Sequence, residues 1–133
     1  MILVDTCVLI DVSADDPEWR GWSIAQLAAW SVRGPLFTNP LIFAEWCTDF
    51  ASLEAAQSAL AAFGLQWAEL PQAALYLAAQ AHLRYRRRGG TRSMVLPDFL
   101  IGAHAAVQGW PVLTRDRHRF DAYFSGLEIV APR

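Results

Sequence analysis

The chain of 133 residues contains no lysine; all 11 of its basic residues are arginine. That absence closes several chemistries. A Walker-type phosphate loop depends on its lysine, and Schiff-base catalysis needs the lysine amine. Cysteine is almost as scarce. Cys7 and Cys47 lack the paired spacing of a metal site, and in a reducing compartment they read as packed thiols rather than a disulfide. Long apolar runs are missing too, because polar or charged residues interrupt every stretch short of the roughly 20 residues a membrane helix needs. The opening MILVDTC has no basic n-region and meets an acid at Asp5, so it does not read as a secretory signal. The expectation is a cytoplasmic protein that does not span a membrane. Charge is sparse: 18% of residues carry it and the net is −2, so bulk electrostatics do not announce a nucleic-acid binder.

What remains suits one domain over residues 1–133. A chain 54% hydrophobic can bury a sizeable core at this length and is too apolar for disorder. The arginines are unevenly spread. Arg84, Arg86, Arg87, Arg88 and Arg92 fall in one segment, and Arg115, Arg117 and Arg119 in another. Guanidinium forks suit phosphate, so Arg115 and the 84–92 group are candidate RNA contacts. A solvated helix end favoured by the macrodipole explains Arg84–Arg88 equally well.

Strand and helix signals alternate. The run 2–4 reads as a buried strand, followed by a short helix over 6–12. Asp15-Asp16-Pro17 reads as a helix start, with the helix running to about Val32 and stopping at Gly34-Pro35. A strand follows at 36–38. Asn39-Pro40 caps a helix to Cys47, and Ser52 caps an Ala-rich helix ending near Gly64. Residues 65–67 form a strand. The long helix 71–88 carries Ala74, Leu75, Ala78, Ala81, His82 and Tyr85 on one face. Pro97-Asp98 opens a helix that ends at Gly109; 111–114 is a strand, 116–124 a turn, and 127–130 the last strand. The pattern predicts an α/β fold with helices on both faces of a parallel sheet.

Four acids stand at positions where such a sheet gathers ligands, beyond the carboxyl ends of its strands. Asp5 ends the first strand, and Asp116 follows the strand ending at Thr114. Asp98 opens a helix that packs on the sheet. Glu45 is the only charge between Arg33 and Asp49, and an unpaired carboxylate in so apolar a run is costly to bury. Singly, each acid has a structural explanation: a cap for Asp98, a turn for Asp5, an ion pair for Asp116, solvation for Glu45. Jointly they make a cleft of repelling carboxylates, which a hard divalent cation such as Mg²⁺ or Mn²⁺ neutralises. That ion suits phosphodiester hydrolysis.

DTCVLID, FAEW, LPDFLIGAHA and TRDRHRF, in this order and spacing, resemble the PIN-domain nucleases, and among them the VapC-type ribonuclease toxins of toxin–antitoxin pairs. The similarity runs over essentially the whole chain. It implies a PIN-like three-layer α/β/α sandwich with a mainly parallel sheet of about five strands. It further implies Mg²⁺ or Mn²⁺, RNA endonuclease activity, a homodimer, and inhibition by a cognate antitoxin. It carries the metal-site role onto Asp5, Glu45, Asp98 and Asp116, with Thr6 and Thr114 in support and Asp11 as a frequent acid of the subgroup. One departure stands out: where some PIN domains carry a further acid after TRD, this chain has Arg117, His118 and Arg119, and Asp121 beyond them reads as a surface or helix residue, so a second metal site stays open.

Other residues have plainer readings. His118 is a surface residue or phosphate contact, while His82 and His104 lie on apolar helix faces as packed side chains. Trp19, Trp22 and Trp30 serve core or dimer packing, or a groove for the antitoxin. Two rival functions remain open. A phosphatase with an aspartyl nucleophile at Asp5 would want a second Asp where Cys7 stands, and a lysine. A PIN-like module that has lost catalysis would only bind RNA or protein.

Overall fold

Ile2, Leu3 and Val4 are all fully buried, as expected of a strand covered on both faces of a parallel sheet. A computed structural model describes residues 1–133 and places this strand, β1 (Ile2–Val4), at the centre of five. The others are β2 (Leu36–Thr38), β3 (Gln66–Trp67), β4 (Val112–Leu113) and β5 (Ile129–Val130). Their spatial order is β3-β2-β1-β4-β5, and every pairing is parallel. The expectation of a mainly parallel sheet thus becomes a wholly parallel one.

Six helices connect the strands: α1 (Thr6–Ser13), α2 (Arg20–Arg33), α3 (Pro40–Cys47), α4 (Leu53–Ala61), α5 (Gln72–Arg87) and α6 (Pro97–Gln108). The chain steps outward from β1 to β3, then returns across the sheet to β4. With right-handed crossovers, α1–α4 fall on one face and α5–α6 on the other. Within each group α1 packs on α2 and α3, α3 on α4, and α5 along α6, while α3 also meets α6. The reversal of direction leaves a crevice between the carboxyl ends of β1 and β4, where open α/β sheets bind ligands.

The expected caps hold. Asn39 accepts from the Ile42 amide at 2.9 Å, and Ser52 from Ala55 at 3.1 Å. Gly109 ends α6 at φ 71°, a left-handed conformation that favours glycine. Gly102 answers a different need, since a Cβ there would lie 2.6 Å from the Phe124 ring. The second helix departs from expectation. Asp16 does cap, accepting from Glu18 and Trp19, but what it caps is a turn, and α2 begins only at Arg20. Leu75, assigned to the buried face of α5, is exposed, while Ala74, Ala78, Ala81 and His82 are buried. Trp30 joins the core, whereas Trp19 and Trp22 are half-buried and meet edge to face at 6.4 Å. Both cysteines are free.

His104, fully buried on α6, ties that helix to the start of α3. Asn39 Oδ1 is engaged by the Ile42 amide, so its Nδ2 donates to His104 Nδ1 at 3.0 Å. The ring proton then sits on Nε2, which has no partner. Burial holds this imidazole below its ordinary value of 6.5. The unfolded chain therefore takes up the proton first, and stability is complete above about pH 6.5 and falls as the pH drops below it. Urea midpoints at about pH 7.5 and about pH 5.5 should show this loss. The drop should be smaller in His104→Gln; an identical drop in both proteins would assign it to other groups.

Candidate active site

Asp5 projects from the end of β1 into the crevice beside β4, whose Leu113 carbonyl accepts the Asp5 amide at 2.8 Å. Its two oxygens have different partners. Oδ1 accepts from the Thr6 amide at 2.9 Å, capping α1. Oδ2 accepts from the Thr114 hydroxyl at 2.8 Å and from Arg119 Nη1 at 2.6 Å. Thr114 in turn accepts from the Asp116 amide at 3.1 Å, so one hydroxyl links the ends of the two central strands.

Glu45 reaches the same place from α3. Its Oε1 accepts from the Thr6 hydroxyl at 3.0 Å, and its Oε2 lies 3.5 Å from Arg119 Nη2. Burial foremost raises the carboxyl above its usual range, and the charges of Asp5 and Asp98 add to this against Arg119 and Thr6. Asp98 arrives on the first turn of α6 without capping it, since that helix starts from Leu96 with no side-chain cap. Asp98 Oδ1 accepts instead from Arg119 Nε at 2.8 Å and from Nη2.

Three of the four acids singled out in the sequence are thereby brought together, around a residue not singled out with them. Arg119 stands on a 3-10 turn (Arg117–Arg119) after β4, and its guanidinium meets Asp5, Glu45 and Asp98 together. Its side chain is 19% exposed, against 0% for Asp5, 35% for Glu45 and 34% for Asp98. Burial alone would lower its pKa, but the bond to Asp98 and the three negative charges raise it, so the group stays cationic. The only trace of this in the sequence is a base where the PIN-domain resemblance leads one to look for an acid.

The remaining candidates lie around this centre. Asp116 is exposed and caps the 3-10 turn, accepting from the His118 amide at 3.0 Å, and no contact joins it to the other acids. Asp11 is buried away from them. It accepts from Ser23 Oγ at 2.8 Å and lies 2.8 Å from Arg115 Nε, an ion pair outside hydrogen-bond geometry. Burial foremost raises the Asp11 carboxyl. Arg115 is therefore held by Asp11 and lies over the Trp19 ring at 5.7 Å. Arg84 donates to the Tyr123 carbonyl at 2.9 Å, Arg86 to that of Arg92 at 3.1 Å, and Arg88 covers the Tyr123 ring. Arg86, Arg87, Arg88 and Arg92 remain exposed. His118 is a surface residue 3.9 Å from Asp121, and His82 packs against Tyr85 and Phe99.

Cys7 also faces the site, with Sγ 3.5 Å from Asp5 Oδ2 and accepting the Arg115 amide at 3.4 Å. Burial, then the Asp5 charge, pushes its thiol up to about 11, which makes it a poor nucleophile. Thr6, Cys7, Ile10, Glu45, Thr48 and Arg119 line a cleft of about 400 Å³. A larger hollow of about 500 Å³ lies by Trp110 and Leu127, with Glu128 its one charged residue. Titratable groups converge on the smaller cleft, and that makes it the candidate site.

The PIN domain family profile matches residues 2–124. The chain belongs to the PIN-domain family. Members of that family are generally nucleases, and the solved structures similar to this PIN domain agree with its fold. They include VapBC2 from Rickettsia felis bound to a DNA fragment from their promoter, at 16% identity, TM-score 0.77, and 100% of each chain covered. DNA-bound VapBC from Salmonella typhimurium is similar at 20% identity and TM-score 0.72, over 96% of this chain and 95% of that one. A toxin–antitoxin complex from Klebsiella pneumoniae is similar at 20% identity and TM-score 0.70, over 100% and 98%. None of the curated proteins matches the chain.

The donor set of this PIN domain suits a hard cation: three carboxylates already converge on one positive group, and oxygen ligands are those Mg²⁺ and Mn²⁺ prefer. With Arg119 between them, no three His, Cys, Asp or Glu side chains are grouped so that they could hold a metal ion.

Proposed function

We propose that this PIN domain is a divalent-metal-dependent endoribonuclease, the toxin of a toxin–antitoxin pair. The observation that carries the reading is the convergence of Asp5, Glu45 and Asp98 on one cation, at the switch point of the sheet, in a chain of a nuclease family. Asp5, Asp98 and Glu45 would hold Mg²⁺ or Mn²⁺, with Asp116 at the rim acting through water. When bound, such an ion neutralises charge on the phosphoryl group and acidifies a water.

The chain's own residues do the rest. Thr6 and Thr114 orient the carboxylates by fixing Glu45 Oε1 and Asp5 Oδ2. Glu45, whose carboxyl is raised and partly open to solvent, is suited to take a proton from the attacking water. The exposed Arg86, Arg87, Arg88 and Arg92 precede Asp98 in the chain and would receive the RNA backbone. Arg84 and Arg115 act mainly in the folded frame through Tyr123 and Asp11.

Similarity to a toxin–antitoxin complex supports a cognate antitoxin as partner. A cognate antitoxin and a second copy of the chain are expected, and the exposed Leu75, Tyr76 and Leu83 of α5 offer surface for such contacts. An adjoining reading frame for a small DNA-binding protein would support the pairing.

Chelator-treated protein should be inert on total cellular RNA, and Mg²⁺ or Mn²⁺ should restore discrete internal cleavage. Asp116→Asn should lower that activity by roughly ten- to a hundred-fold, the scale of a ligand acting through water or hydrogen bonds. A loss as complete as that expected of Asp5→Asn would instead make Asp116 a direct ligand. A second reading, a PIN-like module that only binds RNA or protein, draws on the guanidinium lodged among the acids. It predicts RNA binding without cleavage in any divalent metal.

A further inference from the structure

Arg119 engages one oxygen of each acid on the side left open by Thr6. Its guanidinium contacts Asp5 Oδ2, Asp98 Oδ1 and Glu45 Oε2. The opposite oxygens of Asp5 and Glu45 are held by the amide and hydroxyl of Thr6. The guanidinium thus engages Glu45 Oε2 and Asp5 Oδ2, the oxygens that Thr6 leaves open to an ion, the second of which also accepts from the Thr114 hydroxyl. A divalent ion and a guanidinium also repel at contact distance. The two cations are alternatives at one site.

The hydrogen bonds and ion pairs of the Arg119 guanidinium go to the three acids alone, and the Phe120 ring lies 5.5 Å from the guanidinium carbon. The 3-10 turn that carries it is short, and its backbone amide bonds only to the Asp116 carbonyl at 3.3 Å. Beside it opens the cleft of about 400 Å³ lined by Thr48 and Ile10. The guanidinium keeps its charge throughout.

We propose that Arg119 is an internal counter-ion that competes with the divalent cation and must swing out of the Asp5–Asp98 pair for the metal to bind. Arg119 is on this account a positioning residue: it neutralises the carboxylates of the metal-free protein and sets the metal concentration at which the site fills. The inference rests on the metal-site reading above. It concerns which cation the acids hold, and the test separates the two.

Manganese binding to chelator-treated protein is measured by the loss of the free Mn²⁺ electron-resonance signal. Arg119→Met removes the charge at similar length, and it should tighten Mn²⁺ binding about ten-fold, as when a binding-competent state goes from about a tenth populated to fully populated. Arg119→Lys keeps a charge that cannot bridge two acids as a planar fork does, and should tighten it by less. In the wild-type protein, Mg²⁺ should shift the Arg119 Nε–H resonance toward that of a free guanidinium, with the midpoint of metal binding; this readout stands even if Arg119→Met fails to fold. Unchanged or weaker Mn²⁺ binding in a folded variant, or an Nε–H resonance indifferent to Mg²⁺, would overturn the competition. If wild type and folded variants all fail to bind Mn²⁺, the metal-site reading itself falls.

Discussion

Asp5→Asn should abolish metal-dependent RNA cleavage while the protein stays folded. The carboxylate is fully buried at the head of the crevice, and replacing it removes a negative ligand without changing shape. Metal-assisted charge stabilisation contributes several kcal/mol to such a reaction, so the loss should reach about three orders of magnitude. Stability should change less. Asparagine can still accept from the Thr6 amide at Oδ1, and the Thr114 hydroxyl can turn to accept from the new amide. Arg119 loses one anion but keeps Asp98 and Glu45. The cost should therefore stay below the roughly 3–5 kcal/mol of a buried pair broken outright. From sequence, the substitution reads as pure relief of carboxylate repulsion; Arg119 changes that, because the acids are already partly neutralised. Circular dichroism and single-turnover cleavage of the same sample check both halves. Full activity in folded Asp5→Asn protein would falsify the site.

The largest stability effect is expected from Trp46→Ala, at about 3–5 kcal/mol. Trp46 is completely buried next to Glu45, and its indole donates to the Ala56 carbonyl at 3.0 Å. It packs on Phe50 and Phe63 with ring centroids 5.0 and 5.9 Å away, which fastens α3 to the segment carrying α4. Removing it leaves a cavity and takes one donor from the Ala56 carbonyl. Domains of this kind are stable by only about 5–15 kcal/mol, so the variant should unfold at a much lower urea concentration. Activity should fall even where it remains folded, since Glu45 rides on the loosened helix. Trp46→Phe, which keeps most of the volume, should lose less. A loss under about 1 kcal/mol for the alanine variant would mean that this contact does not hold α3.

Much of the architecture was legible because local rules and tertiary packing agree. The fully apolar run at 2–4 reads as a buried strand, and Asn39-Pro40, Ser52 and Gly109 mark helix ends by chemistry that acts over three or four residues. The boundary of α2 failed where two local signals overlapped, because Asp16 satisfies the amides of a turn before the helix proper begins. Leu75 was misplaced because α5 buries a narrow alanine stripe against α6, and a helix face read from hydropathy alone comes out too wide.

The site divides in the same way. By itself the sequence determined that the chain is an α/β protein with acids at strand ends and helix starts, in an order resembling PIN domains. The absence of lysine and of clustered cysteine or histidine narrowed the chemistry to carboxylates and a hard cation. Those statements depend on residue type and on spacing along the chain. Only the tertiary structure decided which acids meet. Asp5, Glu45 and Asp98 come from a strand end and two helices far apart in sequence, and they converge because the chain reverses direction between β1 and β4. Asp11, close to Asp5 in sequence, faces Arg115 instead, and Asp116 caps its own turn. The cation among the acids was the least visible feature. Arg119 looked like one base in a basic segment, and its partners lie 21, 74 and 114 residues away, a distance over which no local pattern carries charge complementarity.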